Sequence, residues 1–175
     1  MKITPDYTVI YNDEDIVVLN KRSGLLIAAD RYDEEAPRLD VEAAKEFGKL
    51  FAVHRIDKDT SGLIIAAKND FAHLALSAQL SDHSLARTYE AVVHGRFKED
   101  SGTVNAPIGR HPTDRKRMAV TQKNSRSAVT HWQVLSRYPA HTHIQCDLET
   151  GRTHQIRVHM AHIGHPLLGD THYAH

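Results

Sequence analysis

Apolar and polar residues alternate with a period of two along much of this chain, which is the pattern of half-buried β-strands. In "RTYEAVVHG", "SAVTHWQVL" and "HTHIQCDLE" every second residue, starting from Tyr89, Ala128 and Thr142, is expected to face a core. The segment "TVIYNDEDIVVLNK" has two β-branched runs around an Asn/Asp turn and predicts a hairpin. Further strands are predicted in "LFAVHRI", "GLIIAAK", "TVNAPIG" and "RMAVTQ".

Three segments have helical spacing instead. Each begins at a residue that can cap a helix, namely Asp40, Asp70 and Thr153. Gly164, followed by a proline, is expected to end the third helix. The stripes predicted to be buried are Val41, Ala44 and Phe47 in the first helix, Phe71, Leu74 and Ala78 in the second, and Ile156, His159, Met160 and Ile163 in the third.

Adjacent strands with few helices between them favour an α+β fold, in which a mixed, largely antiparallel β-sheet is flanked by a few helices and loops. At 175 residues, the chain is expected to form one domain over residues 1–175. Its single cysteine, Cys146, excludes an internal disulfide, and no apolar run is long enough to cross a bilayer. The first residues lack the apolar centre of a signal peptide, so we expect a cytoplasmic protein with no membrane partner.

Charge is balanced overall, with 22 basic and 22 acidic residues, but it is spread unevenly. The segment "GRHPTDRKRMAVTQKNSR" is strongly basic and has Asp114 as its one acid. Such a local field suits phosphate groups, although a solvated basic loop would have the same composition. The basic residues in this segment are Arg110, Arg115, Lys116, Arg117, Lys123 and Arg126.

Several kinds of site remain open from the residue types alone. The chain has 14 histidines, of which four crowd between His154 and His165, yet the HExxH pattern is missing and no metal is expected. Asp57, paired with Asp59 or Asp170, could serve glycoside-type chemistry. Equally, Asp57 could form an ordinary Asx turn, since aspartate before a polar turn often bonds to the backbone.

Three blocks of sequence narrow this choice, because together they resemble the RluA-type family of RNA pseudouridine synthases. The blocks are "NKRSGLLI", "HRIDKDTSGLIIAAKND" and "LETGRTHQIRVHMAHIGHPLLGD". Shorter matches lie between them in the family's order, so the similarity covers nearly the whole chain. The resemblance implies the pseudouridine synthase fold and the isomerisation of uridine in ribosomal or transfer RNA without a cofactor.

The same resemblance implies roles for three residues. Asp57 matches the essential carboxylate, Tyr89 the tyrosine that faces it, and Arg152 the arginine that pairs with it. An adjacent guanidinium would offset the cost of keeping a carboxylate charged in a pocket that excludes water. Which chemical step Asp57 performs stays open, and an inactive RNA-binding or RNA-folding helper of the same fold is the alternative function.

Contacts with RNA are expected around these residues, because the target base must be extruded from folded RNA. Arg55 could fill the vacated position or pair with a phosphate. Thr60 lies in the same loop, and His154 and Gln155 open the last helix. The basic segment would follow the RNA backbone and give salt-sensitive affinity.

Two departures from the family pattern stand out. Arg22 occupies the position where the family usually has proline, and the continuation "LLIAAD" also differs. The usual C-terminal segment of the catalytic domain and any N-terminal RNA-binding domain are expected to be missing. The oligomeric state is not predicted by any of these patterns.

Overall fold

The computed structural model describes residues 6–29 and 36–174, and the chain forms two compact units, Met1–Leu85 and Ala86–His175. Among the described residues every pairing between named strands is antiparallel, and a parallel contact occurs as an isolated bridge between Leu26 and Arg38. The fold is therefore α+β, as predicted. None of the described helices is long and apolar enough to span a membrane.

The first unit contains a four-stranded sheet in the order β1-β2-β4-β3 and two helices. At the tip of the predicted hairpin, the Asp13 carboxylate accepts the backbone N–H groups of Asp15 and Ile16 at 2.9 and 2.8 Å, which confirms the Asn/Asp turn. The elements are β1 (Tyr7–Asn12), β2 (Ile16–Lys21), α1 (Leu39–Phe47), β3 (Phe51–Ala52), β4 (Gly62–Ala67) and α2 (Asp70–Ser81).

Helix α1 begins one residue before the predicted cap. Arg38 is the N-cap residue, and Asp40 lies inside the first turn, where its carboxylate accepts the N–H of Val41. The buried residues are Leu39 and Ala43, whereas Val41 is 44% exposed. The predicted cap and face were therefore wrong, because the stripe that packs starts at Leu39, ahead of the predicted segment.

Helix α2 shows the same kind of error. Asn69, not Asp70, is the N-cap, and its side-chain oxygen accepts the N–H of Ala72 at 2.8 Å. Ala72 packs with Leu76 in a core cluster of the first unit, while the larger Phe71 is 78% exposed. The prediction followed the larger apolar side chains, but the smaller alanine allows close packing of the helix. Leu74 and Ala78, from the predicted face, are also exposed.

The second unit is built on a sheet in the order β5-β11-β10-β6, with a smaller sheet in the order β8-β7-β9. The predicted alternation is confirmed, since Thr130 and Trp132 on one strand and Ile144 and Cys146 on its neighbour are buried. The elements are β5 (Thr88–His94), β6 (Ser101–Asn105), β7 (Ile108–Arg110), β8 (Met118–Val120), β9 (Ser125–Arg126), β10 (Val129–Arg137), β11 (His141–Leu148) and α3 (Gln155–His162).

The core of this second unit lies between the four-stranded sheet and α3. Val93, Ile144, Cys146 and Met160 are fully buried within one cluster, and burial raises the pKa of the Cys146 thiol to about 12. Trp132 packs over Gly102 of β6, where an added β-carbon would come within 2.6 Å of the indole. Only glycine fits at that position without displacing the tryptophan.

Helix α3 ends as predicted and begins differently. Gly164 has a left-handed φ of +85°, and the N–H of His165 bonds to the Met160 carbonyl at 2.8 Å, which is typical of a glycine C-terminus. Its N-cap residue is His154, with φ +58° and no side-chain cap bond, so the predicted Thr153 cap was wrong. The predicted His159 and Met160 are buried, but so are Gln155 and Val158.

Candidate functional site

Asp57 lies in the loop between β3 and β4, as the sequence predicts, and it is half-buried. A main-chain bond of 3.1 Å from the Thr60 N–H to the Asp57 carbonyl closes a tight turn over residues 57–60. The predicted strand before it is short, because pairing covers Phe51–Ala52 alone. Arg55, two residues before the aspartate, is exposed and thus accessible to a ligand.

A buried lysine is hydrogen-bonded to the main chain of this turn. The ammonium group of Lys21, which is 1% exposed, donates to the carbonyl oxygens of Arg22, Leu25 and Lys58 at 2.9, 2.8 and 2.9 Å. An ammonium group has three N–H donors, so these acceptors use its full capacity. Because Lys58 directly follows Asp57, the lysine ties the turn to the end of β2.

Burial also changes the acidity of this lysine. Loss of hydration lowers the pKa of Lys21 from 10.5 to about 8, against the opposing charges of Asp59 and Asp57. The amine is therefore a titratable group near neutral pH. Lys21 was not among the predicted site residues, although the pattern of β2 indicates its burial: Val17 and Leu19 are buried, and Lys21 continues their period of two toward the core.

Two further hydrogen bonds join the same turn to the residues that follow β2. The Gly24 N–H donates to the Lys58 carbonyl at 2.8 Å, and the Ser23 hydroxyl donates to the Asp59 carbonyl at 2.7 Å. Arg22, where the family usually has proline, donates its N–H to the Asp6 carbonyl at 3.2 Å. Proline could not make that bond, so this departure adds an attachment to the strand-turn.

Tyr89 and Arg152 lie in the second unit. Tyr89 is the second residue of β5, pairs with Cys146 across the sheet, and packs half-buried against the core cluster. Arg152 precedes α3, and its Nε donates to the Ser127 carbonyl at 2.9 Å. The strand and the turn before α3 therefore fix the backbones of both residues within this unit.

The turn before α3 is held by Gln155. The Gln155 carbonyl oxygen accepts the Thr150 hydroxyl at 2.8 Å and the Arg152 N–H at 3.0 Å. Its amide nitrogen donates to the Val129 carbonyl and the Thr130 hydroxyl, each at 3.0 Å. Gln155 is 3% exposed, and both ends of its amide are used within the protein. The predicted RNA contact by Gln155 was thus misplaced, since the residue positions Arg152 from inside.

The basic segment spans several elements of the smaller sheet. Its middle part, residues 111–117, forms an exposed turn between β7 and β8 that we call the basic loop. The Asp114 carboxylate accepts the Lys116 N–H at 3.0 Å, and the Arg110 guanidinium donates to the Arg115 carbonyl at 2.9 Å. The one acid of the segment thus folds the loop. Arg110, Arg115, Lys116, Lys123 and Arg126 are exposed, and Arg117 is half-buried.

Two buried or half-buried polar residues of the second unit, His159 and Asp170, are bonded within the protein. His159 is buried between the Thr130 hydroxyl and the Ala106 carbonyl, each at 2.9 Å, and burial lowers its pKa. Asp170, considered from sequence as a partner of Asp57, receives two bonds from Arg157 at 2.7 and 3.1 Å. Among residues 6–29 and 36–174, no group of three or more His, Cys, Asp or Glu side chains could hold a metal ion.

Comparisons with known proteins agree with the residues described above. A family model for RNA pseudouridylate synthase matches residues 15–162. The uncharacterized RNA pseudouridine synthase YlyB of Bacillus subtilis is 46% identical over 176 residues, covering 96% of this chain and 58% of that protein. Ribosomal large subunit pseudouridine synthase D of Pseudomonas aeruginosa is 45% identical over 170 residues, covering 94% of this chain and 52% of that protein.

A solved structure shares the fold. Human RNA pseudouridylate synthase domain containing 1 superposes with a TM-score of 0.83 at 24% identity, covering 100% of this chain and 73% of that one. This chain spans little more than half the length of the two curated relatives named above. By the family match and the identity to these relatives, the chain belongs to the RNA pseudouridylate synthase family.

Proposed function

We propose that this chain converts uridine to pseudouridine in RNA and that Asp57 is the essential carboxylate. The observation that carries the proposal is the match of the family model across residues 15–162, which includes the turn that Lys21 holds. In this reaction the bond between uracil N1 and the ribose breaks, and a bond from uracil C5 to the same ribose carbon forms. The proton leaves C5 and N1 regains one, so no oxidant, metal or cofactor is required.

Tyr89 and Arg152 are proposed as the other two catalytic residues, in the roles that the resemblance to the family implies. Support comes from the fixed backbone of each residue: β5 holds Tyr89 by pairing with β11, and Gln155 holds the Arg152 N–H. Holding a cleaved base next to its sugar makes the recombination intramolecular, which lowers the barrier by several kcal/mol.

Ribosomal or transfer RNA is the proposed substrate and the cytoplasm the proposed location, with ribosomal RNA favoured because several relatives are named as large-subunit synthases. The exposed side chains of the basic loop would contact phosphates and give affinity without sequence information. Arg55 and Thr60 would face the extruded nucleotide from the Asp57 loop, and His154 would contact RNA from the start of α3. Extrusion of the base costs a few kcal/mol of free energy. The free energy of these contacts with RNA would offset that cost.

The test is the Asp57→Asn variant, which removes the charge and keeps the shape. We expect the release of hydrogen from C5 of labelled uridine in large-subunit ribosomal RNA to fall by about 10³-fold, while RNA affinity changes little. Asp59→Asn is the matched control, since Asp59 is an exposed acid of the same loop, and it should keep most of the activity.

Two outcomes would contradict the proposal. If Asp57→Asn releases hydrogen as fast as the unaltered protein, Asp57 is not the essential carboxylate. If the unaltered protein binds the RNA but releases no hydrogen from C5, the alternative of an RNA-binding or RNA-folding helper replaces the enzyme.

A further inference from the structure

We propose that Tyr173 is a positioning residue for RNA binding, which joins His154 at the start of α3 to the end of the basic loop. The inference rests on the proposed function and deepens it, because it names what holds the RNA-facing surface of the second unit in place. Tyr173 was not among the residues that the sequence pointed to.

The Tyr173 hydroxyl bonds on two sides. It accepts the N–H of Met118, the first residue of β8, at 2.8 Å, and it lies 2.8 Å from Nδ1 of His154. The hydroxyl group therefore shares one hydrogen bond with the Met118 N–H and a second with the His154 ring. One oxygen atom thus connects the strand that follows the basic loop to the residue that opens α3.

This arrangement also fixes the histidine. The bond to Tyr173 and the edge-on packing of the two rings, whose centroids are 5.7 Å apart, hold the imidazole of His154 at the start of α3. The left-handed backbone of His154, with φ +58°, is supported by the same contact.

Two guanidinium groups contact the ring of Tyr173. The Arg117 and Arg157 guanidinium carbons are 5.2 and 5.0 Å from its centroid, within the range of cation–π attraction. Arg117 is the last residue of the basic loop, so the ring supports the loop directly. Tyr173 itself is 7% exposed and packs with Ile108 in a core cluster.

Asp170 anchors the tyrosine. Its carboxylate receives Arg157 and also accepts the backbone N–H groups of His172 and Tyr173 at 2.9 and 3.2 Å. Burial is the main cause that raises the pKa of Tyr173 above 10.0, so the hydroxyl group keeps its hydrogen at neutral pH. The segment 170–173 therefore contacts both elements of this unit that are proposed to face RNA, namely the end of the basic loop and the start of α3.

The test compares Tyr173→Phe with Tyr138→Phe in the full chain, using unmodified large-subunit ribosomal RNA transcribed in vitro as the probe. Phenylalanine keeps the ring and its cation contacts and removes the hydroxyl alone. We expect the Kd for RNA and the KM to rise about fivefold, with kcat within about twofold. The slope of log affinity against log salt should become shallower by about one, because the Met118 N–H loses its bond to the hydroxyl and the end of the basic loop is held less firmly.

Tyr138 is 50% exposed, so Tyr138→Phe should match the unaltered protein in all these measurements. A Tyr173→Phe protein with a lower Tm but unchanged Kd, KM and salt slope would show a purely structural role and overturn the inference. If Tyr173→Phe does not fold, His154→Ala replaces it, since it leaves the bond to Met118 and the ring in place.

His154→Ala should weaken RNA binding by a similar factor, and in a folded double variant the two losses should not add. Unchanged RNA affinity of His154→Ala, or fully additive losses, would overturn the inference. Failure of the proposed function is distinguishable, because it appears as an unaltered protein without RNA-dependent turnover. An active unaltered protein with unchanged variants refutes the role of Tyr173 alone.

Discussion

The turn that carries Asp57 and the turn that carries Arg152 are held in place by different chemistry. In the first unit, the buried ammonium group of Lys21 donates hydrogen bonds to the carbonyl oxygens of Arg22, Leu25 and Lys58. In the second unit, the neutral amide of Gln155 connects Thr150, Arg152 and strand β10. Both turns are held by several hydrogen bonds, but the first depends on a charge that is costly to bury, and the second does not.

The difference predicts how each turn fails. Removal of the buried ammonium group takes a donor from three carbonyl oxygens, of which only that of Lys58 is also bonded to a backbone N–H, that of Gly24, among the contacts described above. A lost amide removes neutral bonds, which cost less when broken. The Asp57 turn should therefore be the more sensitive to substitution of its support, and it should be the one that responds to alkaline pH.

The largest effect is expected for Lys21→Met. The Arg22 and Leu25 carbonyl groups lose the ammonium donor, and the Lys58 carbonyl keeps only the Gly24 N–H, so the free energy of unfolding should fall by about 3 kcal/mol, and pseudouridine formation should fall with it as the Asp57 turn loosens. Chemical denaturation and the C5 hydrogen-release assay measure the two effects. Lys45→Met is the control, because Lys45 is an exposed lysine paired with Glu42 and should change stability by less than about 0.5 kcal/mol. Equal stability of the two variants would remove the basis of the comparison.

A smaller effect is expected for Gln155→Ala. The variant breaks the bonds to Thr150, Arg152, Val129 and Thr130, which should cost about 2 kcal/mol in thermal unfolding. Activity should also fall, because Arg152 is no longer fixed. Gln133→Ala, at an exposed position of β10, should leave both nearly unchanged. A loss larger than that of Lys21→Met would reverse the ranking of the two turns.

The smallest effect is on the pH dependence of stability. Since the pKa of Lys21 is lowered from 10.5 to about 8, the unfolded chain holds more protons than the folded chain between these values, and stability from this group rises with pH. From about pH 8 to about pH 9 the free energy of unfolding should rise by about 1 kcal/mol relative to Lys21→Met. Parallel curves for the two proteins, or an amine resonance of Lys21 that titrates at 10.5, would refute the lowered pKa.

The sequence predicted the strands better than the helices. Alternation with a period of two has one solution once a face is buried, and Thr130, Trp132, Ile144 and Cys146 lie where it placed them. The caps of α2 and α3 were misplaced by one residue and the cap of α1 by two; in α2 this happened because Asn69 and Asp70 are both good caps. The buried faces of α1 and α2 each pair a leucine with an alanine four residues away, and exposed apolar residues beside them gave a competing stripe of the same period.

The candidate site was predicted unevenly for a related reason. Asp57 was correctly placed in a loop, since its neighbours are polar and a strand follows. The supporting residues Lys21 and Tyr173 were missed, and Gln155 was assigned to RNA, because a polar residue in a sequence does not reveal whether its partners are internal. Their roles depend on backbone carbonyl and N–H groups from distant segments, and such groups leave no pattern in the residue types.

Cys146 gives the second unit a built-in reporter of opening. It is the chain's single thiol, it lies at the centre of β11 with no exposed surface, and its high pKa keeps it un-ionised. A thiol-reactive reagent should therefore label the folded protein only as fast as β11 separates from its neighbours. The labelling rate under native conditions would read the local opening free energy of this sheet without any engineered probe.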